Sequence, residues 1–328
     1  MRNIKKQAPN NRPPKPAKKH DPRRQPGHND EKSCTVPADG HLLDTLLTLF
    51  ADRSRSTVKS WLAHRQVAVN DTPTTRYDQP VHAGDKIKIN FRVGYKEFKN
   101  SQLRIIYEDD ALIVVDKVSG LLSVSTDRIK TRTAYHILSN YLKSKDPAAR
   151  LFVLHRLDRD TSGLMMFAKN QRVQEIMQHA WNEMILDRRY IAVVEGQPHP
   201  AEGEITSYLC ENAAYEVYST PDKTSGGQYA LTRYRVLQGN RRYSLVELQL
   251  ATGRKNQIRV HLKDIGHSIA GDRKYGARTN PLRRMALHAS RLRFVHPLTR
   301  HDMHFEVPPP APFRQVAHPH PETISATP

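Results

Sequence analysis

The chain has 328 residues, with 52 Lys and Arg against 33 Asp and Glu, so its formal net charge is +19. That length is enough for two domains with a sizeable core, and a positive excess of this size favours a polyanionic partner such as nucleic acid. The longest apolar runs have five residues, as in 111–115, and are too short to cross a bilayer. Two distant cysteines without metal or redox spacing indicate a reducing compartment. We therefore expect a cytoplasmic protein with no membrane partner.

Residues 1–36 are predicted to form a disordered basic arm. Within residues 1–32, ten Lys or Arg stand against three Asp or Glu, a local charge of +7, with six prolines and no aromatic residue. Such a composition cannot bury enough apolar surface to order itself. The arm can hold RNA phosphates non-specifically, or it can be a solubilising tail of little function.

Residues 37–92 are predicted to be a small module of two helices and a hairpin. Apolar residues four apart give the first helix a buried stripe, Leu42, Leu46 and Phe50. Ser54 can cap the second helix, and alternating aliphatic residues then predict strands around an Asn70-Asp71 turn. Arg55 and Lys59 lie on a basic face that suits a duplex RNA backbone, unless it is only a solvated surface.

This segment resembles the S-four RNA-binding module, which is named after a ribosomal protein. The matching positions are Leu43-Asp44, Ser54-Arg55, Val67-Ala68-Val69-Asn70 and Gly84-Asp85-Lys86-Ile87. The module usually has glycine where this chain has Arg65 and Asp71, although Asp tolerates the left-handed conformation. The resemblance implies an RNA-binding role for the module.

A polar linker is predicted at 93–103, a larger domain at 104–308, and a frayed Pro-rich tail at 309–328. Apolar alternation in the larger domain predicts strands at Leu103–Tyr107, Ala111–Asp116, Leu151–Leu154, Leu164–Ala168, Arg189–Val194, Tyr229–Val236, Tyr243–Leu250 and Met303–Val307. Helices are predicted at Ala134–Lys143, Gln171–Trp181 and Arg254–Lys263. Many strands with few intervening helices favour an α+β fold with a mixed, largely antiparallel sheet.

Two polar segments of this domain stand out first. Residues 155–163 read His-Arg-Leu-Asp-Arg-Asp-Thr-Ser-Gly between two apolar runs, which predicts a turn between strands. An Arg, two Asp, a Thr and a Ser are more than a simple chain reversal needs, and loops on a rigid sheet often carry function. Residues 188–196 predict a strand with a basic start and Tyr190 near that start.

A third polar segment, residues 252–262, is predicted to begin a helix capped by Thr252. Arg254 and Lys255 would then lie at the positive end of the helix, which favours a phosphate site. Arg259 lies off the row of buried aliphatic residues and is free to point elsewhere.

An Asp, a Tyr and an Arg together can act on a nucleoside without a cofactor. A carboxylate near the sugar can support glycosidic cleavage, and a neighbouring arginine keeps it ionised. A tyrosine ring can stack on a base while its hydroxyl moves a proton, and a second arginine can fill the gap left by an extruded base. Taken singly, Asp158 fits a turn-capping role and Tyr190 an ordinary strand position equally well.

Two other classes of function stay open on these residues. A non-catalytic RNA-binding or ribosome-assembly protein would carry the same basic arm, module and charge. A hydrolase using Asp158 and Asp160 around a metal ion is disfavoured, because the turn has no further carboxylates nearby.

The polar segments together resemble the RluA-type pseudouridine synthases. That family's His-Arg-Leu-Asp-x-x-Thr-Ser/Thr-Gly motif is matched in full at 155–163. Its strand pattern, in which a basic residue stands two positions before a Tyr, is matched at 188–194. The motif Thr-Gly-Arg-x-His-Gln-Ile/Leu-Arg-x-His matches at 252–261 with one departure, and Gly-x-x-Ile-x-Gly-Asp-x-x-Tyr-Gly follows at 266–276. The resemblance covers about residues 104–308.

Two positions depart from the family pattern. Asn256 stands where the family usually has His, and Val118 where it usually has Pro. Because Asn keeps hydrogen-bonding capacity, we expect activity to survive, whereas Val118 can loosen one loop.

The resemblance implies an RNA pseudouridine synthase, which detaches uracil from its ribose, rotates it and rejoins it through carbon 5. It makes Asp158 the essential catalytic group, either attacking the sugar or removing a sugar proton. Tyr190 would stack on the base and handle the proton at carbon 5, and Arg259 would pair with Asp158. Arg156 would assist base flipping in a central cleft. Because the reaction is an isomerisation, the resemblance implies no metal ion and no cofactor.

The expected partner is RNA, which Arg254, Lys255, Arg55 and Lys59 would help to bind. The S-four-like companion favours ribosomal RNA as the substrate, with transfer RNA second. We expect a monomer.

Overall fold

The computed structural model describes residues 31–91, 94, 98–126, 129–223 and 226–319. These residues form two compact units, the first within residues 31–94 and the second mainly within 98–319, with residues 70–72 assigned to the second, and each unit is described by itself. No helix within the described ranges is long and apolar enough to span a membrane. Cys34 and Cys210 are both free thiols.

The first unit combines two helices with a four-stranded sheet. Its elements are β1 (Glu31–Thr35), β2 (Gly40–His41), α1 (Leu42–Leu49), α2 (Arg55–Ala63), β3 (Val67–Val69), β4 (Thr72–Thr74), β5 (Pro80–Val81) and β6 (Lys86–Asn90). The sheet has the strand order β1-β6-β3-β4, and β2 pairs separately with β5. The predicted order of two helices followed by a hairpin is confirmed.

Local sequence signals account for this unit. The α1 stripe packs against apolar residues of α2, and the Oγ of Ser54 caps α2 by accepting a hydrogen bond from the Thr57 amide at 3.2 Å. Asn70 and Asp71 both have positive φ, at 47° and 62°, as a tight hairpin requires. Arg65 also has positive φ, so two of the positions where the S-four pattern usually has glycine are left-handed here.

The predicted basic arm is wrong in its last residues. Glu31–Thr35 pairs antiparallel with Lys86–Asn90, and the next residue, Val36, is buried. The partner strand supplies backbone hydrogen bonds that the composition of the arm cannot indicate. Residues 1–30 lie outside the described residues.

The second unit is built on one sheet of eleven strands. Its strands are β7 (Leu103–Glu108), β8 (Leu112–Lys117), β9 (Phe152–Val153), β10 (Ser162–Ala168), β11 (Ile185–Glu195), β12 (Glu202–Glu211), β13 (Val217–Thr220), β14 (Gln228–Gly239), β15 (Tyr243–Leu250), β16 (Leu287–Val295) and β17 (Asp302–Glu306). The order is β13-β12-β14-β15-β11-β16-β10-β8-β7, with β17 paired to β16 and β9 to β10. Within the described strands of this sheet only β10 and β16 pair in parallel, which confirms the largely antiparallel α+β prediction.

Helices cover both faces of this sheet. They are α3 (Ala134–Lys145), α4 (Gln171–His179), α5 (Trp181–Met184), α6 (Gln257–Asp264) and α7 (Ala311–Val316). In β8, Ile113 and Val115 pack with α3, whereas the alternate residues Leu112 and Val114 pack with α4. Burial on both faces explains why this strand is a continuous apolar run in the sequence.

Several boundaries in the second unit differ from the predictions. Strands β12, β13 and β16 were not predicted, and the expected helix at 171–181 breaks at Ala180 into α4 and α5. The tail is not frayed up to residue 319, because Phe313 of α7 is buried against the sheet and the Asn240 side chain donates hydrogen bonds to the carbonyls of Val316 and His318. Burial of this aromatic ring and the two hydrogen bonds from Asn240 order a short Pro-rich segment that its composition marks as a loop.

Candidate active site

The polar turn at 154–161 is anchored by the segment that follows β8. The Lys117 ammonium is fully buried and donates hydrogen bonds to the carbonyls of Val118, Leu121 and Arg159, at 2.8–3.1 Å. The Ser119 hydroxyl donates to the Asp160 carbonyl at 2.7 Å, and the Ser123 hydroxyl donates to the Leu157 carbonyl at the same distance. These contacts fix the loop backbone on both sides of Asp158.

The histidine that opens the turn has a structural role. Nε2 of His155 accepts a hydrogen bond from the Met166 amide at 3.1 Å, which ties the turn to β10. Burial lowers the pKa of His155 to about 3, with the nearby charge of Arg188 as a smaller cause, so the ring is neutral at physiological pH. His155 therefore ties the loop to the adjacent strand as a neutral hydrogen-bond acceptor.

Gly163 closes the turn where two strands approach closely. Its φ is +110°, and a Cβ at this position would lie 2.2 Å from the carbonyl oxygen of Ala289 on β16. Ala289 is paired with Gly163 on one side and with Tyr190 of β11 on the other. The glycine thus lets the Asp158 loop and Tyr190 flank the same residue of the central strand.

Asp158 is held by one arginine. Nη1 of Arg259 donates to Oδ2 of Asp158 at 3.1 Å, and the same guanidinium grips Asp272 through Nε and Nη2 at 2.6 and 2.8 Å. Burial opposes the charge on Arg259, but Asp272 and then Asp158 outweigh it and raise its pKa. Asp158 keeps 26% of its side chain exposed, whereas Asp272 keeps 2%. Asp158 is therefore the carboxylate that a substrate can reach.

The start of α6 differs from the prediction. Thr252 does not cap the helix; its hydroxyl donates to Oε1 of the buried Gln257 side chain at 2.7 Å, and that oxygen also accepts from the Arg254 amide. The helix begins at Gln257, after Asn256 in the left-handed conformation at φ +54°. The turn is built around a buried amide, a contact that helix-capping rules do not consider.

Asn256 suits the position where the family usually has His. Its Oδ1 accepts from Nη1 of Arg259 at 3.1 Å, and its Nδ2 donates to the Tyr275 hydroxyl at 2.9 Å. The Tyr275 ring also lies 4.6 Å from the Arg259 guanidinium carbon. Asn adopts positive φ more readily than most residues, so Asn256 provides both the backbone turn and these two hydrogen bonds.

Tyr190 and Asp158 line the same small cavity, of about 70 Å³. Other residues around it are Arg156, Leu157, Thr161, Leu250, Arg254, Asn256, Gln257, Ile258, Arg259 and Leu287. Burial raises the pKa of the Tyr190 phenol, with the charge of Asp158 adding to this and that of Arg188 opposing it, so the phenol stays protonated at neutral pH. A protonated phenol that shares a cavity with a carboxyl group can donate or relay a proton.

The predicted site residues divide into three groups. Asp158, Tyr190 and Arg259 meet at the small cavity, and the exposed Arg156 and Arg254 lie at its edge, where they also line a second cleft of about 500 Å³. Lys255 forms the second group, and the third consists of Arg55 and Lys59 on α2 of the first unit.

Lys255 does not line either cavity. It forms an ion pair with Glu211, and because α6 begins only at Gln257, it is not at the helix start where a phosphate site was predicted. No helix terminus therefore supports the predicted role of this lysine.

Arg55 and Lys59 belong to the first unit. Both lie on α2 and both are exposed, while the apolar side chains of that helix, Val58, Trp61 and Leu62, are buried. The basic face predicted for this helix is therefore open to solvent.

Two residues that hold the site were assigned no role from the sequence. Asp272 fixes Arg259 and Tyr275 supports Asn256, and both fall in the motif at 266–276 that carried the family resemblance. Their place in that motif is the signal that could have identified them. The part of the chain that the structure describes holds no group of three or more His, Cys, Asp or Glu side chains placed to bind a metal ion.

Comparison with known proteins identifies the family. A family model described as RNA pseudouridylate synthase matches residues 111–264, a range that contains Asp158, Tyr190 and Arg259. The uncharacterized RNA pseudouridine synthase YhcT of Bacillus subtilis is 30% identical over 298 residues, which cover 89% of this chain and 97% of that protein. The chain belongs to the RNA pseudouridine synthase family. This confirms the resemblance in the motifs and sets aside a purely RNA-binding function.

One further relative agrees with this family, and two solved structures share the fold of the chain. Ribosomal large subunit pseudouridine synthase D of Haemophilus ducreyi is 32% identical over 307 residues, covering 87% of this chain and 93% of that protein. The structure of human RNA pseudouridylate synthase domain containing 4 superposes with a TM-score of 0.53 at 23% identity, over 65% of this chain and 90% of that chain. Human RNA pseudouridylate synthase domain containing 1 gives 0.51 at 25% identity, over 66% and 87%.

Proposed function

We propose that this pseudouridine synthase isomerises one specific uridine of ribosomal RNA, with Asp158 as its essential catalytic group. The observation that carries the assignment is the ion pair of 3.1 Å between Asp158 and Arg259 in a cavity shared with Tyr190. The choice of ribosomal RNA rests on relatives named ribosomal large subunit pseudouridine synthase D, including those of Haemophilus ducreyi and Haemophilus influenzae.

Each side chain at the cavity has a defined task in this proposal. The Asp158 carboxylate promotes cleavage of the glycosidic bond, and the Arg259 guanidinium orients that carboxylate through its hydrogen bond to Oδ2. The uracil then turns within the cavity against the Tyr190 ring, and its carbon 5 forms the new bond to the ribose. The proton of carbon 5 is relayed through the Tyr190 hydroxyl, and N1, which has lost its bond to the ribose, takes up a proton, so the isomerisation leaves the number of protons unchanged. Arg156 occupies the space that the extruded nucleotide leaves in the RNA.

RNA contacts outside the cavity extend the same proposal. Arg254 lies exposed at the edge of both cavities and is positioned to bind a phosphate. In the first unit, the exposed Arg55 and Lys59 of α2 are the candidate backbone contacts of an S-four-like RNA-binding module. Lys255 receives no such task, because Glu211 already neutralises it.

The test is pseudouridine mapping of total RNA from cells that lack the gene and carry either the wild-type or the Asp158→Asn copy. We expect one pseudouridine of ribosomal RNA to be restored by the wild-type protein only, with turnover of purified Asp158→Asn reduced by roughly 10²–10⁴-fold or more. The variant should still bind RNA within a few-fold, because Asp272 continues to hold Arg259.

Asp160→Asn is the matched control. It removes the same charge two residues away, but the Asp160 carboxylate is paired with Arg159 and does not line the cavity. Normal turnover by Asp158→Asn would overturn the catalytic assignment. If the pseudouridine that these cells lose lies in transfer RNA, only the choice of ribosomal RNA would be overturned.

A further inference from the structure

The charged side chains that line the larger cleft beside the small cavity are strongly biased towards positive charge. Three arginines line it, Arg156, Arg188 and Arg254, and none of its described lining residues is acidic. The cleft shares Arg156, Tyr190, Leu250 and Arg254 with the small cavity, so the two spaces are neighbours. A cleft with several cations and no counter-charge is suited to an anionic group.

Arg188 is the one of these three arginines with a buried nitrogen atom that has no described partner. Its Nε is buried without a hydrogen-bond partner within the described part of the chain, and no carboxylate there forms an ion pair with its guanidinium. Its described ring contact is with Trp181, 6.0 Å from guanidinium carbon to ring centroid. A buried guanidinium without a carboxylate costs free energy unless a ligand supplies the missing oxygen atoms.

Gly253 keeps room for this arginine. A Cβ at Gly253 would lie 2.5 Å from Nη1 of Arg188, closer than atoms can approach. Gly253 has no positive φ, so its backbone would accept a side chain. The space beside Gly253 is therefore used by the Arg188 guanidinium, which lies at the wall of the cleft.

The other side chains of the cleft suit a nucleobase. Trp181 at the start of α5 supplies an aromatic surface, and Gln178 and Asn182 supply amides that both donate and accept hydrogen bonds. Aromatic stacking and amide contacts are the usual means by which proteins hold an unstacked base.

We infer that this cleft binds the nucleotide next to the target uridine, with Arg188 on its phosphate and Trp181, Gln178 and Asn182 around its base. Tyr190 and Arg156 border both spaces, so one nucleotide in each would be covalent neighbours in a single RNA strand. The cleft would thereby contribute to the choice of the uridine through the identity of its neighbour. This inference rests on the proposed binding of the target uridine beside Asp158.

The phosphate part is tested by fluorescence anisotropy of the full chain with a labelled uridine pentaribonucleotide. We expect Arg188→Gln to weaken binding about tenfold at 0.1 M salt and to lower the slope of log affinity against log salt by about 0.7, the value of one phosphate contact on single-stranded RNA. Arg293→Gln removes the same charge from an exposed pair with Asp302 outside the cleft, and we expect binding within twofold of wild type.

Gly253→Ala provides a second variant that keeps every charge. Its added methyl group displaces the Arg188 guanidinium, so we expect binding of the pentaribonucleotide to weaken several-fold with an unchanged thermal unfolding midpoint. If Arg188 served the fold alone, Arg188→Gln would lower the midpoint and leave binding at the wild-type value, and the inference would be overturned.

The base part is tested with pentaribonucleotides in which the residue on one side of the central uridine lacks its base. For one of the two sides, we expect removal of the base to weaken binding of the pentaribonucleotide to the wild-type chain about tenfold. The same removal should weaken binding to the Trp181→Ala variant less than twofold. Equal losses in both proteins would remove Trp181 from base recognition. Because the readout is binding and not turnover, the outcome is independent of whether Asp158→Asn abolishes isomerisation.

Discussion

At the scale of single residues, the two carboxylates around Arg259 have different tasks although both are Asp. Asp272 accepts hydrogen bonds on both oxygens and is almost fully buried, whereas Asp158 is engaged by Arg259 through Oδ2 only. The arginine is thus locked by one carboxylate and presents the other to the cavity. Sequence motifs identified Asp158 and Arg259, but only the three-dimensional contacts show that Asp272 sets the orientation of the pair.

This division predicts the effect of Asp272→Asn. The change removes one charge of a buried pair, so we expect the free energy of unfolding to fall by about 3 kcal/mol, as for other buried pairs that lose one partner. Arg259 is then free to turn towards Asp158, so turnover should fall more than RNA affinity. Urea denaturation and steady-state kinetics measure the two effects.

Asp302→Asn is the control for the Asp272 variant. Asp302 also binds an arginine through both oxygens, but the pair with Arg293 is exposed, so the urea midpoint should not change. Turnover by Asp272→Asn equal to that of the wild type would contradict a positioning role for Asp272.

At the scale of elements, the sequence predicted best those strands whose burial follows a simple pattern. Strand β15 was predicted with its observed bounds, and β8 within one residue, because their apolar residues are continuous or alternate. Strand β16 was missed because it buries polar side chains: His288 bonds with the Ser162 hydroxyl, and Ser290 donates to the Arg189 carbonyl. Partners distant in sequence satisfy these groups, and no local pattern shows that.

Helix α6 gives a prediction of pH dependence. His261 is buried between the helix and the sheet, with hydrogen bonds to the hydroxyls of Thr232 and Ser207, and burial lowers its pKa to about 4. In the unfolded chain a histidine titrates near 6.5, so between these values the unfolded state binds more protons than the folded state. Stability is therefore lost as the pH falls from about 6.5 through 4.

The measurement is the free energy of unfolding in urea at several pH values, for the wild type and His261→Gln. We expect the variant to show a shallower dependence on pH in this window, by up to ~1.4 kcal/mol per pH unit for one proton. His304→Gln, at a half-exposed position of β17, should keep the wild-type dependence. Parallel curves for wild type and His261→Gln would show that another group is responsible.

At the scale of the whole molecule, the sheet order explains why residues far apart in sequence form one site. Asp158 precedes β10, Tyr190 is on β11, and β16 lies between these strands and pairs with both. Asp158 and Arg259 are 101 residues apart in sequence. The family resemblance predicted that these residues act together. Hydrophobic patterns alone cannot predict that they are close in space, because strand order in a sheet depends on long-range pairing.

Charge is the other property of the whole molecule with a measurable consequence. Residues 1–30 contain nine Lys or Arg and two Asp, so deleting them removes +7 of the net +19 and leaves β1 intact. If these cations contact RNA phosphates, the deletion should weaken the binding of a longer RNA more than the binding of the uridine pentaribonucleotide. A pentaribonucleotide offers only a few phosphates, whereas a longer strand offers many more, so we expect the larger reduction of the salt slope for the longer RNA.

We expect the slope of log affinity against log salt to fall by about 2 or more for a 40-nucleotide RNA, which corresponds to about three lost phosphate contacts at 0.7 each. Turnover on a saturating concentration of substrate should be unchanged, because Asp158, Tyr190 and Arg259 all lie in the second unit. An equal slope for the truncated and full chains would mean that the arm only adds solubility. A lost turnover would instead mean that the arm helps to place the uridine beside Asp158.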